Sequence, residues 1–379
     1  MVSKLQVKDL SQNLHNTISE KGFNISLFHL TNDPENANRI RVSTHDLEVE
    51  LLPSKGLSLG QAWIKGKSVF WEAPIELPDT EIVDLYSDEI CINGNPAPGF
   101  TFLKTLVGGV EMYGLKNWGM PVEKDGKLQP LHGETSNIPV SEVICSIEED
   151  SCTIEANFDY RTFEGDPNLP WYQRGEPLFR VTKKIMLKNG AFEIKLEDTI
   201  ENISNRSLMP DWGYHITFRP EEGARYIVPS KMAEERSGNP LPADIQTWHK
   251  AVNENVRTET GIIHKQVAIA ESGLVKTQLV YPGDSILEVS TTPSPYFQTW
   301  FCNGGKGSSE FTNGKEESLL HKNWDGMGIE IGSSALDHNG NIDESVDYKS
   351  LLKPDELQII QIKLQWIDEF ASTLFNKYA

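Results

Sequence analysis

From about residue 25 onward the chain is a succession of short runs in which apolar and polar residues alternate, separated by clusters of Gly, Pro, Asn and Asp. Period-two alternation puts one set of side chains on each face of a pleated strand, so each run buries one face and wets the other. In the stretch from Phe192 to Glu197, Phe192, Ile194 and Leu196 form the apolar set and Glu193, Lys195 and Glu197 the polar one. The runs RIRVSTHDLEVELL, CTIEANFDYRTF, LFRVTKKIML, SILEVSTT and ELQIIQIKLQW read in the same way, and Lys188-Asn189-Gly190 between two runs is a favoured hairpin connection. Amphipathic helical patterns longer than ten residues are scarce, which removes the βαβ rhythm of dinucleotide folds. The expectation is an all-β chain, one large antiparallel β-sandwich over residues 25–379. Residues 1–24, with Leu5, Val7, Leu10, Leu14 and Ile18 spaced apart, suit a short helix or an arm. Residues 230–261 are polar and weakly patterned, and read as an excursion over the surface.

Charge narrows the partners. The 379 residues carry 35 Lys and Arg against 55 Asp and Glu, a formal charge of -20 that repels nucleic-acid phosphates and anionic membranes. Cys91, Cys145, Cys152 and Cys302 have no C-x-x-C spacing and are too few for a disulfide scaffold of this length. The first residues lack an apolar secretory core and no later stretch approaches a membrane span, so a cytoplasmic location without a membrane partner is expected. Oligomeric state is left open.

Two literal motif matches fail on context. Gly56-Leu57-Ser58-Leu59-Gly60 fits G-x-S-x-G, but that motif needs a strand-to-helix turn above a parallel sheet, and residues 61–71 read as another strand. Gly60 and Gly66-Lys67-Ser68 resemble a phosphate loop with one residue too many between the glycines. Nothing else calls for a nucleotide, and no cofactor or structural metal is expected.

Three segments place ionisable groups in unusual surroundings. His132, Gly133 and Glu134 sit between Pro130 and Pro139, a loop context. His215 stands among aromatics in Asp211-Trp212-Gly213-Tyr214-His215, where desolvation moves an imidazole's proton affinity. Glu330 lies between Ile329 and Ile331 in a glycine-rich strand, and a carboxylate there is costly unless paired or functional. Each also has a structural reading: a solvated loop histidine, a core histidine bonded to a carbonyl, and an outward glutamate in plain alternation.

In this order the His132-Gly133 loop, the strand histidine His215 and Gly328-Ile329-Glu330 resemble the aldose 1-epimerase (galactose mutarotase-like) superfamily, from about Val42 to the last strand. Pro53-Ser54-Lys55-Gly56-Leu57, Gly66-Lys67, Trp71, Gly109, Gly114-Leu115 with Asn117 and Gly119, and Tyr214-His215 resemble an uncharacterised branch rather than the classical galactose mutarotases. The chain departs from its relatives at Glu134, where they commonly carry an arginine, and at Lys55-Gly56-Leu57-Ser58, where they carry an Arg-Gly-x-Asp-like turn.

The resemblance implies a sugar-converting epimerase with Glu330 as base and His215 as acid, one on each side of the sugar, and His132 orienting it. Under it Asn117, Glu134, Asp211 and Gln298 are candidate sugar contacts, and Trp300, Trp324 or Trp212 a candidate apolar face. Two other readings stay open: another sugar isomerase, epimerase or metal-assisted lyase using His132, Glu134 and His215 as ligands, and a carbohydrate-binding protein without catalysis.

Overall fold

The structure, a computed structural model, describes residues 2–6, 17–35, 37–92, 95–124, 126–241, 243–253, 258–283, 285–304, 311–312, 325–337, 339–343 and 350–367. Two large sheets dominate it, one of nine strands and one of twelve, and the ladders within them are antiparallel. The fold is therefore the all-β sandwich that the alternation predicts. Asn189 and Gly190 turn the chain between strands Pro177–Lys188 and Glu193–Asn202, which pair along their length. Among the described residues no helix is long and apolar enough to cross a membrane.

Residues 7–16 of the expected N-terminal helix or arm, with Val7, Leu10 and Leu14, lie outside the described residues. Val2–Gln6 is a strand that pairs with Glu142–Ile147, and Thr17–Glu20 pairs with Phe23–Phe28. Of the spaced apolar residues, Leu5 and Ile18 are described, and both lie in paired strands, a position their alternation also permits. The described part of 230–261 includes the margin of a sheet. Ser230–Glu235 is the outermost strand of the twelve-stranded sheet, joined to the rest through Glu259–Val267.

Two long strands of the nine-stranded sheet keep the alternation. Ser151–Arg161 and Glu193–Asn202 bury every second residue. Central strands of the other sheet do not: in Asp211–Phe218 and Asp325–Gly332 only the first residue escapes burial. Trp212, Tyr214, Ile216 and Phe218 join Ile329 and Ile331 in the core between the sheets, against Val181, Ile185, Leu196 and Ile200. There the Tyr214 phenol donates to the Asp198 carboxylate, which also pairs with Lys183. The residues between them, Gly213, His215, Thr217, Gly328 and Glu330, turn to the opposite face. Loops carrying Trp71, Phe102, Trp118 and Leu131 cover that face and form a second apolar cluster with Tyr113, Tyr296 and Trp300.

Candidate active site

Cross-strand register builds the site. His215 pairs directly with Glu330, Glu330 with Gln298, and His215 on its other side with Glu111. Opposite residues in an antiparallel pair point to the same face, so four polar side chains from four strands form one row. Nε2 of His215 lies 3.7 Å from Oε1 of Glu330, and each side chain is 7% exposed. The pair is thus side by side, where one group on each side of a sugar ring was expected.

Gln298 donates from Nε2 to Glu330 Oε1 at 2.8 Å and accepts from the Tyr296 hydroxyl at 2.7 Å, which fixes the carboxylate's rotamer. His215 Nδ1 meets Thr217 Oγ1 at 2.6 Å. Glycines make the space. A Cβ on Gly328 would stand 3.0 Å from His215 Cε1, and one on Gly261 would stand 2.6 Å from Gln298 Oε1. Trp118 lies over Gly213 and Gly332, where added Cβ atoms would come within 2.6 and 2.2 Å of its ring.

His132 arrives from the loop. Its Nδ1 lies 2.7 Å from the Trp118 carbonyl; a carbonyl only accepts, so Nδ1 carries the proton and Nε2 presents its lone pair. The ring stacks on Tyr113 at 4.4 Å between centroids and meets the edge of Phe102 at 4.8 Å. Tyr113 in turn is 6.1 Å from His215, and its own buried hydroxyl has no hydrogen-bond partner among the described residues. The backbone of His132 is left-handed, φ 57°, which is uncommon outside glycine.

Burial governs the titration of all three groups. Desolvation pushes His132 and His215 down from 6.5 to about 4 and pushes the Glu330 carboxyl up. Arg236, His132 and the Gln298 hydrogen bond oppose the rise at Glu330. Buried Glu111 sits 3.4 Å from the equally buried Lys55 ammonium, which also donates to the Thr105 carbonyl and to Asn137 Oδ1.

Other expected contacts lie elsewhere. Glu134 is buried in bonds from the phenols of Tyr86 and Tyr160, away from both histidines. Among the described residues no three His, Cys, Asp or Glu side chains converge as a metal would need, and the His132, Glu134 and His215 ligand set does not assemble. Asn117 holds the loop beneath His132 by donating to the carbonyls of Met120 and Pro130. Asp211 is on the same face as His215 but four residues along the strand, about 13 Å at the usual rise, and accepts from Ser334. Trp300 does reach the pair, its ring 5.4 Å from that of His215 in an edge contact. Trp212 belongs to the core between the sheets, and Trp324 lies outside the described residues. Ser58 of the apparent nucleophile motif is buried and donates to the Lys55 carbonyl at 2.6 Å.

Sequence reasoning missed Arg236, Glu259, Tyr113 and Tyr296. Trp300 Nε1 donates to Glu259 Oε1 at 2.9 Å, and Arg236 Nη2 reaches the same oxygen at 3.4 Å. Tyr296, Gln298 and Trp300 are spaced two apart on one strand, a same-face signal present in the sequence. Arg236 and Tyr296 also line a groove of about 900 Å³ at the sheet margin, with Ile263 and Asp337.

With that geometry in place, the fold finds matching solved structures. A candidate aldose 1-epimerase from Klebsiella pneumoniae is 17% identical, with a TM-score of 0.73 over 98% of this chain and 89% of that one. A galactose mutarotase-like protein from Clostridium acetobutylicum is 13% identical, with a TM-score of 0.58 over 92% and 100%. The Slr1438 protein from Synechocystis is 14% identical, with a TM-score of 0.57 over 90% and 100%. The architecture is thus the galactose mutarotase-like sandwich that these structures share. Within it, residues 35–304 match the family described as Domain of unknown function (DUF4432), and the chain belongs to that family. No curated protein matches the chain.

Proposed function

We propose that the chain is a carbohydrate epimerase of the aldose 1-epimerase type, interconverting sugar anomers by acid-base chemistry at Glu330 and His215. The supporting observation is the buried imidazole and carboxylate held in direct cross-strand register, 3.7 Å apart. In this reading residues 25–379 act as one catalytic unit and a free sugar is the substrate.

Mutarotation moves protons at two oxygens bonded to one carbon. Glu330 takes the proton of the anomeric hydroxyl while His215, as the imidazolium, gives its Nε2 proton to the ring oxygen and is left neutral. The bond from the anomeric carbon to the ring oxygen breaks, the aldehyde turns, and closure on its other face returns both protons. Because the two oxygens share a carbon, adjacent groups on one side of the sugar serve both. As the imidazolium, His215 donates from Nδ1 to the Thr217 hydroxyl and carries its second proton on Nε2, beside Glu330. Burial raises the proton affinity of one partner and lowers that of the other, which reduces the cost of passing a proton between them. Gln298 orients the carboxylate. His132 offers its Nε2 lone pair to a sugar hydroxyl.

Saturation-transfer NMR between anomers tests this over hexoses, pentoses, uronic acids and sulfonated or phosphorylated sugars. Exchange above the spontaneous rate, lost in Glu330→Gln, is the expected result. Binding without exchange for every sugar overturns it in favour of a carbohydrate-binding protein.

A further inference from the structure

We propose that Arg236 and Glu259 are positioning residues for the His215 and Glu330 pair, acting through the Trp300 indole and through the field of the guanidinium. The proposal rests on the acid-base reading of that pair and adds the part that sets its geometry and charge.

A continuous set of contacts supports it. Glu259 accepts from Trp300 Nε1 at 2.9 Å, and the Trp300 ring meets the His215 ring edge-on at 5.4 Å. Trp300 has little freedom otherwise: it fills the gap over two glycines, where Cβ atoms on Gly326 and Gly328 would stand 3.0 and 3.3 Å from its ring. Arg236 Nη2 donates to the same Glu259 oxygen at 3.4 Å, and its backbone N–H donates to the Gly261 carbonyl at 2.8 Å. Gly261 lies directly under the Gln298 amide, which holds Glu330. The two arms from Arg236 therefore end on the two members of the pair.

Charge runs the same way. The groups that face Glu330 are His215, His132, Gln298, Glu259 and Arg236, with Tyr113 and Tyr296 alongside. Arg236 is the strongest influence opposing the burial that favours the protonated carboxyl, and it also lowers the proton affinity of both histidines. Arg236, at the margin of the site, thus favours the ionised Glu330 carboxylate that a base requires.

The test is a ¹³C titration of the Glu330 carboxyl, assigned by loss of its signal in Glu330→Gln. It is run on the full chain, on Arg236→Gln, Arg236→Lys and Glu259→Gln. In Arg236→Gln the midpoint should rise by about one pH unit, the size expected of a unit charge acting through an effective dielectric near 20. Arg236→Lys should restore most of the shift. Glu259→Gln should move the His215 ring resonances and lower kcat while leaving KM nearly unchanged. Arg236→Met, which keeps the apolar stem, replaces the glutamine variant should that one fail to fold. An unmoved midpoint in a folded variant overturns the proposal. If the midpoint moves but the wild-type protein exchanges no anomers, the electrostatic link stands and the epimerase reading falls.

Discussion

The two sheets treat their strands differently. In strands Ser151–Arg161, Pro177–Lys188 and Glu193–Asn202 of the nine-stranded sheet one face packs and the other is wetter, so Glu155, Lys184 and Glu197 alternate with Ile154, Ile185 and Leu196. At the centre of the twelve-stranded sheet both faces are covered, and the positions that would carry surface charge hold His215, Glu330 and Gln298 instead. A polar residue on a wet face costs nothing, whereas one on a second, covered face must be paired or put to use. Where regular alternation gives way to full burial, the chemistry gathers.

Substitutions on opposite faces of a single strand break this comparison most sharply. Glu330→Gln should lower anomer exchange about 10²- to 10⁴-fold with little change in the melting temperature. Its neighbour Ile329 points into the core between the sheets, so Ile329→Ala should instead cost about 2–5 kcal/mol of stability, read by denaturant unfolding. A variant pair that lost both properties together would erase the distinction between the faces.

Acid should act next most strongly. His132 and His215 are held at about 4, below their ordinary 6.5. The unfolded chain then binds more protons between those values, so stability present above pH 6.5 is lost as pH falls toward 4, by up to about 3 kcal/mol per histidine. Glu330 works in the opposite direction: its raised affinity adds stability at low pH that is lost as pH rises through its folded value. His215→Asn should flatten the acid limb of the unfolding curve, and a limb that stayed equally steep would show the histidine to be accessible to protons in the fold.

Gly332→Ala would place a methyl 2.2 Å from the Trp118 ring. Displacing the indole should cost about 1–3 kcal/mol and release the loop that holds His132, seen as a loss of sugar affinity. The smallest effect belongs to the wet face of the other sheet. Glu155 pairs loosely with Lys184 at 3.6 Å, and Glu155→Ala should alter stability by less than about 0.5 kcal/mol.

Much of this was legible beforehand. Period-two runs located the strands of the nine-stranded sheet because one wet face leaves a clean pattern. His215 and Glu330 stood out because charge-bearing residues among aromatics and glycines are expensive. Their meeting was hidden, since it depends on the register between Asp211–Phe218 and Asp325–Gly332, set by ladders between strands remote in sequence. Glu134 misled because it follows His132 closely, yet successive residues in a turn point apart, and its carboxylate ended among phenols. Asn117 looked like a ligand contact and proved to be a clasp for the loop. Arg236 carried no signal at all: the stretch around it has no periodicity, and only the folded margin of the sheet brings it to Glu259.

The left-handed backbone at His132 has a consequence for anyone who reshapes this protein. A glycine would relieve that conformation but would also remove the ring packed on Tyr113 and Phe102, so His132→Gly should lower thermal tolerance and catalysis together. Selection for ruggedness and selection for activity would then both keep the imidazole in place.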